Sequence, residues 1–207
     1  MQTTFPRLLM QHAKQRPSAP AMREKEYGIW QTLSWADLAK MVSHMACGLH
    51  QMGLQRGDHL IVVGSNRPRL YAAMLATQAL GAIPIPLYQD AVGAECVFPI
   101  NNADVKFCVV EDQEQVDKML EVREKCPQLT HIYYDDPRGL RKYTEDGLGS
   151  LEELIAAGAV FAKQHPQFFA EEVDKVRMQS RERELLETHH WKGSAPLNFR
   201  IDHRDEQ

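Results

Sequence analysis

The chain has no strong charge of either sign, no long apolar run and no glycine-rich nucleotide signature. Its formal net charge is -4 over 207 residues, which gives no electrostatic drive toward nucleic acid or an anionic surface. The segment Tyr71 to Leu87 is uncharged, but it is slightly short for a membrane span and is broken by Gln78, Gly81, Pro84 and Pro86; a buried helix followed by a strand accounts for it better. The beginning, MQTTFPRLLMQHAKQRP, lacks a basic segment followed by a long apolar core, so no secretory signal is read there. Cysteine is sparse: Cys47, Cys96, Cys108 and Cys126 lie far apart, form no Cys-x-x-Cys and have apolar neighbours. Buried, reduced thiols and a reducing, cytoplasmic compartment are expected.

Catalytic signatures are also missing. The chain contains no Gly-x-Gly-x-x-Gly, no glycine-rich run ending in Lys-Ser or Lys-Thr, and no Gly-x-Ser-x-Gly elbow. His44 and His50 stand six apart, not at the four-residue spacing of a helical metal pair, and read as surface or edge histidines. The adjacent His189 and His190 diverge on any regular backbone, with no cysteine near them. Asp135-Asp136 sits beside Pro137 and Arg138, so a solvated turn with a local ion pair is expected. Residue chemistry alone therefore nominates no catalytic, cofactor-binding or metal-binding residue.

What is present is alternation. Hydrophobic content of 43% and charged content of 25% suit an ordinary globular chain. His59-Leu-Ile-Val-Val63 is a β-branched run suited to a strand buried on both faces, and Gly64-Ser-Asn-Arg-Pro68 ends it with turn chemistry. Arg69 to Leu80 favours helix, with Gly81 where a helix stops. Ile83-Pro-Ile-Pro-Leu87 returns to extended backbone, because each proline disfavours helix in the residue before it. Strand, helix and strand make a βαβ unit, the seed of a parallel sheet. Gly64-Ser-Asn66 lies where ligands bind in open α/β sheets, yet without a full fingerprint it reads as a structural turn.

Around this unit the pattern predicts a first helix capped by Thr3 or Thr4, then a hairpin of Ala21–Lys25 and Gly28–Leu33. Ser34 with Asp37 forms a near capping box before a helix with Leu38, Met41, Val42, Met45, Leu49 and Met52 on one face. Further on, a short helix over 93–101, a strand over 105–110, a helix capped by Asp112 and a strand over 131–134 are expected. Ser150 with Glu153 should cap another helix through Ala157, and one more short helix is expected over 168–176. Beyond Arg177 neither period is sustained, and the expectation is a disordered tail.

The order of these segments resembles the amino-terminal part of the AMP-forming adenylating enzymes, of the bacterial long-chain fatty acyl-CoA synthetase type. The resemblance is carried by Arg23-Glu-Lys-Glu-Tyr-Gly-Ile-Trp30 with Leu33-Ser-Trp-Ala-Asp-Leu38, by Gly53-Leu-Gln-Arg-Gly-Asp58 with Val62-Val-Gly-Ser-Asn-Arg-Pro68, and by Ala79-Leu-Gly-Ala-Ile-Pro-Ile-Pro-Leu-Tyr88. Glu111 to Lys118 and Tyr134 to Leu140 are similar to the segments that follow.

The resemblance implies an α/β fold: a partial amino-terminal domain of an acyl-adenylating enzyme, mostly parallel sheet with flanking helices and a small β-hairpin near the N-terminus. It divides the chain into 1–177, an incomplete AMP-binding-enzyme domain, and 178–207, a non-homologous tail. The family uses ATP, Mg²⁺ and coenzyme A to convert fatty acids to acyl-CoA, but its phosphate loop ending Pro-Lys-Gly has no counterpart here. The chain alone is therefore expected to be inactive, with no cofactor of its own. Two partners are expected for a partial domain: a complementary ligase fragment, or a second copy meeting an uncovered sheet face. Localisation is expected to be cytoplasmic, with peripheral membrane association as an extension of it.

Overall fold

Alternating apolar residues in the central strands explain why two layers of helices form around one sheet. In the computed structural model, which describes residues 4–176, β3 (His59–Val63) sends Leu60 and Val62 to one face and Ile61 and Val63 to the other. The pleat requires this separation. β5 (Phe107–Val110) and β6 (His131–Tyr134) repeat it: Phe107, Val109 and Tyr133 join Leu60, while Cys108, Val110 and Ile132 join Ile61.

The elements run α1 (Phe5–Gln15), β1 (Pro20–Glu26), β2 (Ile29–Ser34), α2 (Trp35–Gln51), β3, α3 (Pro68–Ala79), β4 (Ile83–Leu87), α4 (Gly93–Asn102), β5, α5 (Gln113–Val122), β6, β7 (Leu148–Ser150), α6 (Leu151–Gln164) and α7 (Phe168–Lys175). β1 and β2 form a separate antiparallel hairpin, and the main sheet has the order β4-β3-β5-β6-β7. Each of its four pairings is parallel; β3 meets β4 from His59↔Ile83 to Val63↔Leu87. This is the expected α/β architecture with its small hairpin.

One face of the sheet packs against α2, α3, α6 and α7, through Val42, Met45, Leu49, Ala72, Ala76, Leu154 and Val173. The other packs against α4 and α5, through Cys96, Ile100, Val116 and Met119. The expectation of an uncovered sheet face meets a different situation here: β3, β5 and β6 are buried on both sides. The four cysteines are buried and free, and burial pushes the Cys47 thiol up to about 11.

The two edges of the sheet differ. In β4 the Ile83 amide donates inward to the Asp58 carbonyl at 2.8 Å, so the alternate residues Pro84 and Pro86 face outward and have no N–H to offer a further strand. β7 has no proline, and its three residues are half-buried.

Several local expectations need correction. Thr4 occupies the N-cap of α1, but its hydroxyl makes no capping bond; Pro6, the second helical residue and already fixed at a helical φ, supports the first turn instead. Ser34 and Asp37 form the full reciprocal capping box, whereas Ser150 accepts from the Glu152 amide and does not engage Glu153. α6 continues past Ala157 to Gln164, and β5 begins at Phe107 rather than Val105. Met52 is 42% exposed, because α2 ends one residue earlier and Gly53 turns the chain at φ +96°. Strand β7 escaped the sequence reading: three residues including Gly149 carry no period. The expectations for 178–207, including His189 and His190, lie outside the described residues.

Candidate functional site

Open parallel sheets bind ligands beyond the carboxyl ends of their strands, and here that end is filled by carboxylates and arginines. Gly64 follows β3 with φ +154°, and a Cβ there would lie 2.6 Å from the Cβ of Glu111. This close approach lets Glu111, just after β5, reach into the turn. Its Oε2 accepts from the Ser65 amide at 2.5 Å, and its Oε1 accepts from Arg67 Nε at 2.9 Å. Burial alone would raise the Glu111 carboxyl, but the hydrogen bonds from Ser65 and Arg67 outweigh it and hold the group below its ordinary value. Arg67 also stands 3.6 Å from Glu24 on β1, tying the hairpin to the turn.

Asp135, after β6, departs from the sequence expectation. It turns inward, 2.7 Å from Arg69 Nε, and burial raises its carboxyl despite the nearby Arg69 charge. Arg69 Nε and Nη2 lack an aligned hydrogen-bond acceptor, so the Asp135 contact is electrostatic rather than a directed bond. Arg69 Nη1 donates to Glu152 at 2.8 Å. Asp136 behaves as expected: it accepts from Arg138 Nε in an exposed turn, at 2.7 Å through Oδ2. The chain bends at Asp135, just past β6, where the Asp135 and Asp136 amides donate to the Val110 and Glu111 carbonyls in turn, and the two carboxylates take different partners.

The network holds five carboxylates (Glu24, Glu111, Asp135, Asp136 and Glu152) against three guanidinium groups (Arg67, Arg69 and Arg138). A triphosphate needs spare N–H donors and positive charge. Here Glu111 takes the turn amide and every arginine of the network already faces a carboxylate. The groups present do not fit ATP and its Mg²⁺, and no adenylation step can be built on them. Among the described residues, no group of three or more His, Cys, Asp or Glu side chains could hold a metal ion.

An open groove of about 220 Å³ runs beside this end, lined by Leu33, Asp37, Lys40, His44, Arg69 and Glu152. That is below the roughly 300 Å³ at which small-molecule sites begin. Asp37 is spent on the Ser34 cap, and burial with Lys40 and Lys163 nearby lowers the His44 imidazole. His50, read as a surface or edge histidine, packs its ring at a tilt against Phe168 with centroids 4.6 Å apart. Sequence reading missed Glu111, Arg69 and Asp135 as partners, since each acts across long separations.

Comparison with known proteins adds a lineage. The model of the family described as "AMP-binding enzyme" matches residues 9–167. The long-chain-fatty-acid–CoA ligase ACSBG2 of Mus musculus is 27% identical over 56% of this chain, which spans 18% of that ligase. An uncharacterized protein of Mycobacterium tuberculosis is 30% identical over 63% of this chain and 71% of its own length. Among solved structures, the acetoacetyl-CoA synthetase from Streptomyces lividans superposes with a TM-score of 0.65 at 22% identity, over 73% of this chain and 24% of that one. At that identity the superposition shows the fold.

Proposed function

This chain belongs to the AMP-binding enzyme family, and on that premise we propose that it forms the amino-terminal framework of an AMP-dependent long-chain fatty acid–CoA ligase. The parent reaction joins a fatty acid to coenzyme A with conversion of ATP to AMP and diphosphate. The reading draws support from similarity to long-chain-fatty-acid–CoA ligases, of which the chain spans a minor part. In this reading the chain supplies sheet and helices, and the donors that hold ATP come from elsewhere.

The observation that carries inactivity of the chain alone is Glu111 on the Ser65 amide and Arg67. Adenylation gathers negative charge in its transition state and needs preorganised donors or a metal to offset it. The carboxyl end of this sheet offers an excess of carboxylate instead. ATP–pyrophosphate exchange with palmitate is expected to stay at the blank level for the purified chain. Sustained palmitate-dependent exchange would overturn the reading.

A second reading, one half of a split ligase, is favoured by the unequal sheet edges. Pro84 and Pro86 close the β4 edge, while β7 keeps its outward backbone groups. A complementary chain would extend the sheet at β7. The domain division at 177 and 178 belongs to the same proposal, with 1–177 as the family portion.

A further inference from the structure

The turn after β3 grips a carboxylate by both of its oxygens. The Ser65 amide donates to Glu111 Oε2 at 2.5 Å, and Arg67 Nε donates to Oε1 at 2.9 Å. The Ser65 hydroxyl adds to the pull on the ionised form. Donors set on two separate oxygens, one of them a guanidinium, suit a planar carboxylate. Neither side of this grip depends on the Glu111 side chain for its backbone position. The Glu111 amide donates to the Val63 carbonyl at 3.0 Å, and its own carbonyl accepts from the Asp136 amide at 2.7 Å. The turn is closed separately, by the Arg67 amide on the Ser65 carbonyl at 2.8 Å and by the Leu70 and Tyr71 amides on the Arg67 carbonyl. Donors and attachment point therefore stay in place when the side chain is shortened.

The surroundings decide how much charge fits. Glu24 stands 3.6 Å from Arg67, and the Glu111 charge helps to raise the nearby Asp135 carboxyl. One negative charge is accommodated, since Glu111 itself ionises more readily than an ordinary glutamate. A second would meet Glu24 and Asp135 with no further donor to offset it.

We propose that the turn from Gly64 to Arg67 is a carboxylate-binding site filled by the chain's own Glu111, and that shortening this side chain opens it to a small free monocarboxylate. Glu111→Ala removes Cγ, Cδ and both carboxylate oxygens, and acetate supplies the same four heavy atoms. The Cβ remains, and it packs so close to Gly64 that a Cβ there would lie 2.6 Å away. Propionate brings one carbon more than the vacated space and overpacks it. The Glu111 side chain is 15% exposed, so the vacated space opens to solvent for an ion of acetate's size. In the wild type the tethered carboxylate competes at an effective concentration of about millimolar or above, which makes Glu111 an autoinhibitory contact. The inference shares Glu111 with the inactivity reading but its readout uses neither ATP nor palmitate, so failure of one leaves the other standing.

The test is thermal melting of the whole chain at neutral pH in sodium acetate, propionate, sulfate or chloride. Each variant is compared with wild type in the same salt, which cancels general salt effects. Relative to chloride, about 100 mM acetate is expected to narrow the gap between Glu111→Ala and wild type by about 2–4 °C, the shift for a dissociation constant of about 20 mM. Propionate and sulfate should leave the gap as it is in chloride. Glu111→Ala/Arg67→Met, which also lacks the guanidinium, should show no narrowing in acetate. An unchanged gap in acetate, or equal narrowing by propionate, by sulfate or in the double variant, would overturn the proposal. If Glu111→Ala is unfolded in chloride, acetate must restore the wild-type circular dichroism; persistent unfolding in acetate would overturn it as well.

Discussion

Gly158→Ala is expected to destabilise the chain by about 3 kcal/mol or more, the upper range for overpacking a rigid contact. The reason is how α2 and α6 meet. A Cβ at Gly158 would lie 1.8 Å from the His44 carbonyl oxygen and 2.6 Å from the Gly48 nitrogen, and a Cβ at Gly48 would lie 2.4 Å from the Leu154 oxygen. Backbone stands on both sides, so no side chain can rotate away. The helices would have to separate, opening contacts around Met45, Leu49 and Leu154 that cover one face of the sheet. Urea titration should show the loss, and thermal melting should fall by roughly 6–12 °C. Gly28→Ala provides the contrast: φ is +81° but nothing lies within 4 Å of its Cβ, so only backbone strain of about 1–2 kcal/mol applies. Equal effects at the two positions would contradict close helix contact.

The second large effect is expected from Glu111→Ala. It strips the partner from the Ser65 amide and from Arg67, at a cost of about 1–3 kcal/mol. Arg67 is 42% exposed and the Glu111 side chain 15%, so water can serve the guanidinium but reaches the turn less well; the lower half of that range is expected. The pH dependence gives a distinct signature. Glu111 has a folded-state value below its ordinary 4.5, so its stabilisation is present above the unfolded value and is lost as pH falls through the folded one. Asp135 is shifted upward by burial, so its contribution is present below its unfolded value and is lost as pH rises through the folded one. The Glu111 variant should therefore show a shallower loss of stability than wild type on acidification below the ordinary glutamate value. An unchanged acid limb would contradict its role as the clamp of the turn.

These two positions show where sequence reading reaches its limit. Strands His59–Val63, Ile83–Leu87 and His131–Tyr134 emerge with their observed bounds, because buried parallel strands are short apolar runs closed by local turn chemistry. Ser34 with Asp37 is similarly local. β7 was missed because its three residues become a strand only by pairing with β6. Gly48 and Gly158 are far apart in the chain, and neither alone names its partner. A glycine inside an apolar helix is nevertheless a signal, since it costs stability unless another backbone must come close. At the carboxyl end, Arg67 and Glu111 are 44 residues apart, beyond any spacing rule. Asp135 and Asp136 look equivalent as letters, and only the bend after β6 separates one buried against Arg69 from one wet beside Arg138.

The central claim is that this sheet is framework, with its carboxyl end closed to a triphosphate by Glu111 and its neighbours. Equilibrium dialysis of the purified chain against radiolabelled ATP with Mg²⁺ tests it most directly. The account predicts no saturable binding up to about 1 mM ATP, equivalent to less than about 4 kcal/mol of affinity. Stoichiometric binding with a Kd of about 10 μM or tighter, weakened by substitution at Ser65 or Arg67, would contradict it.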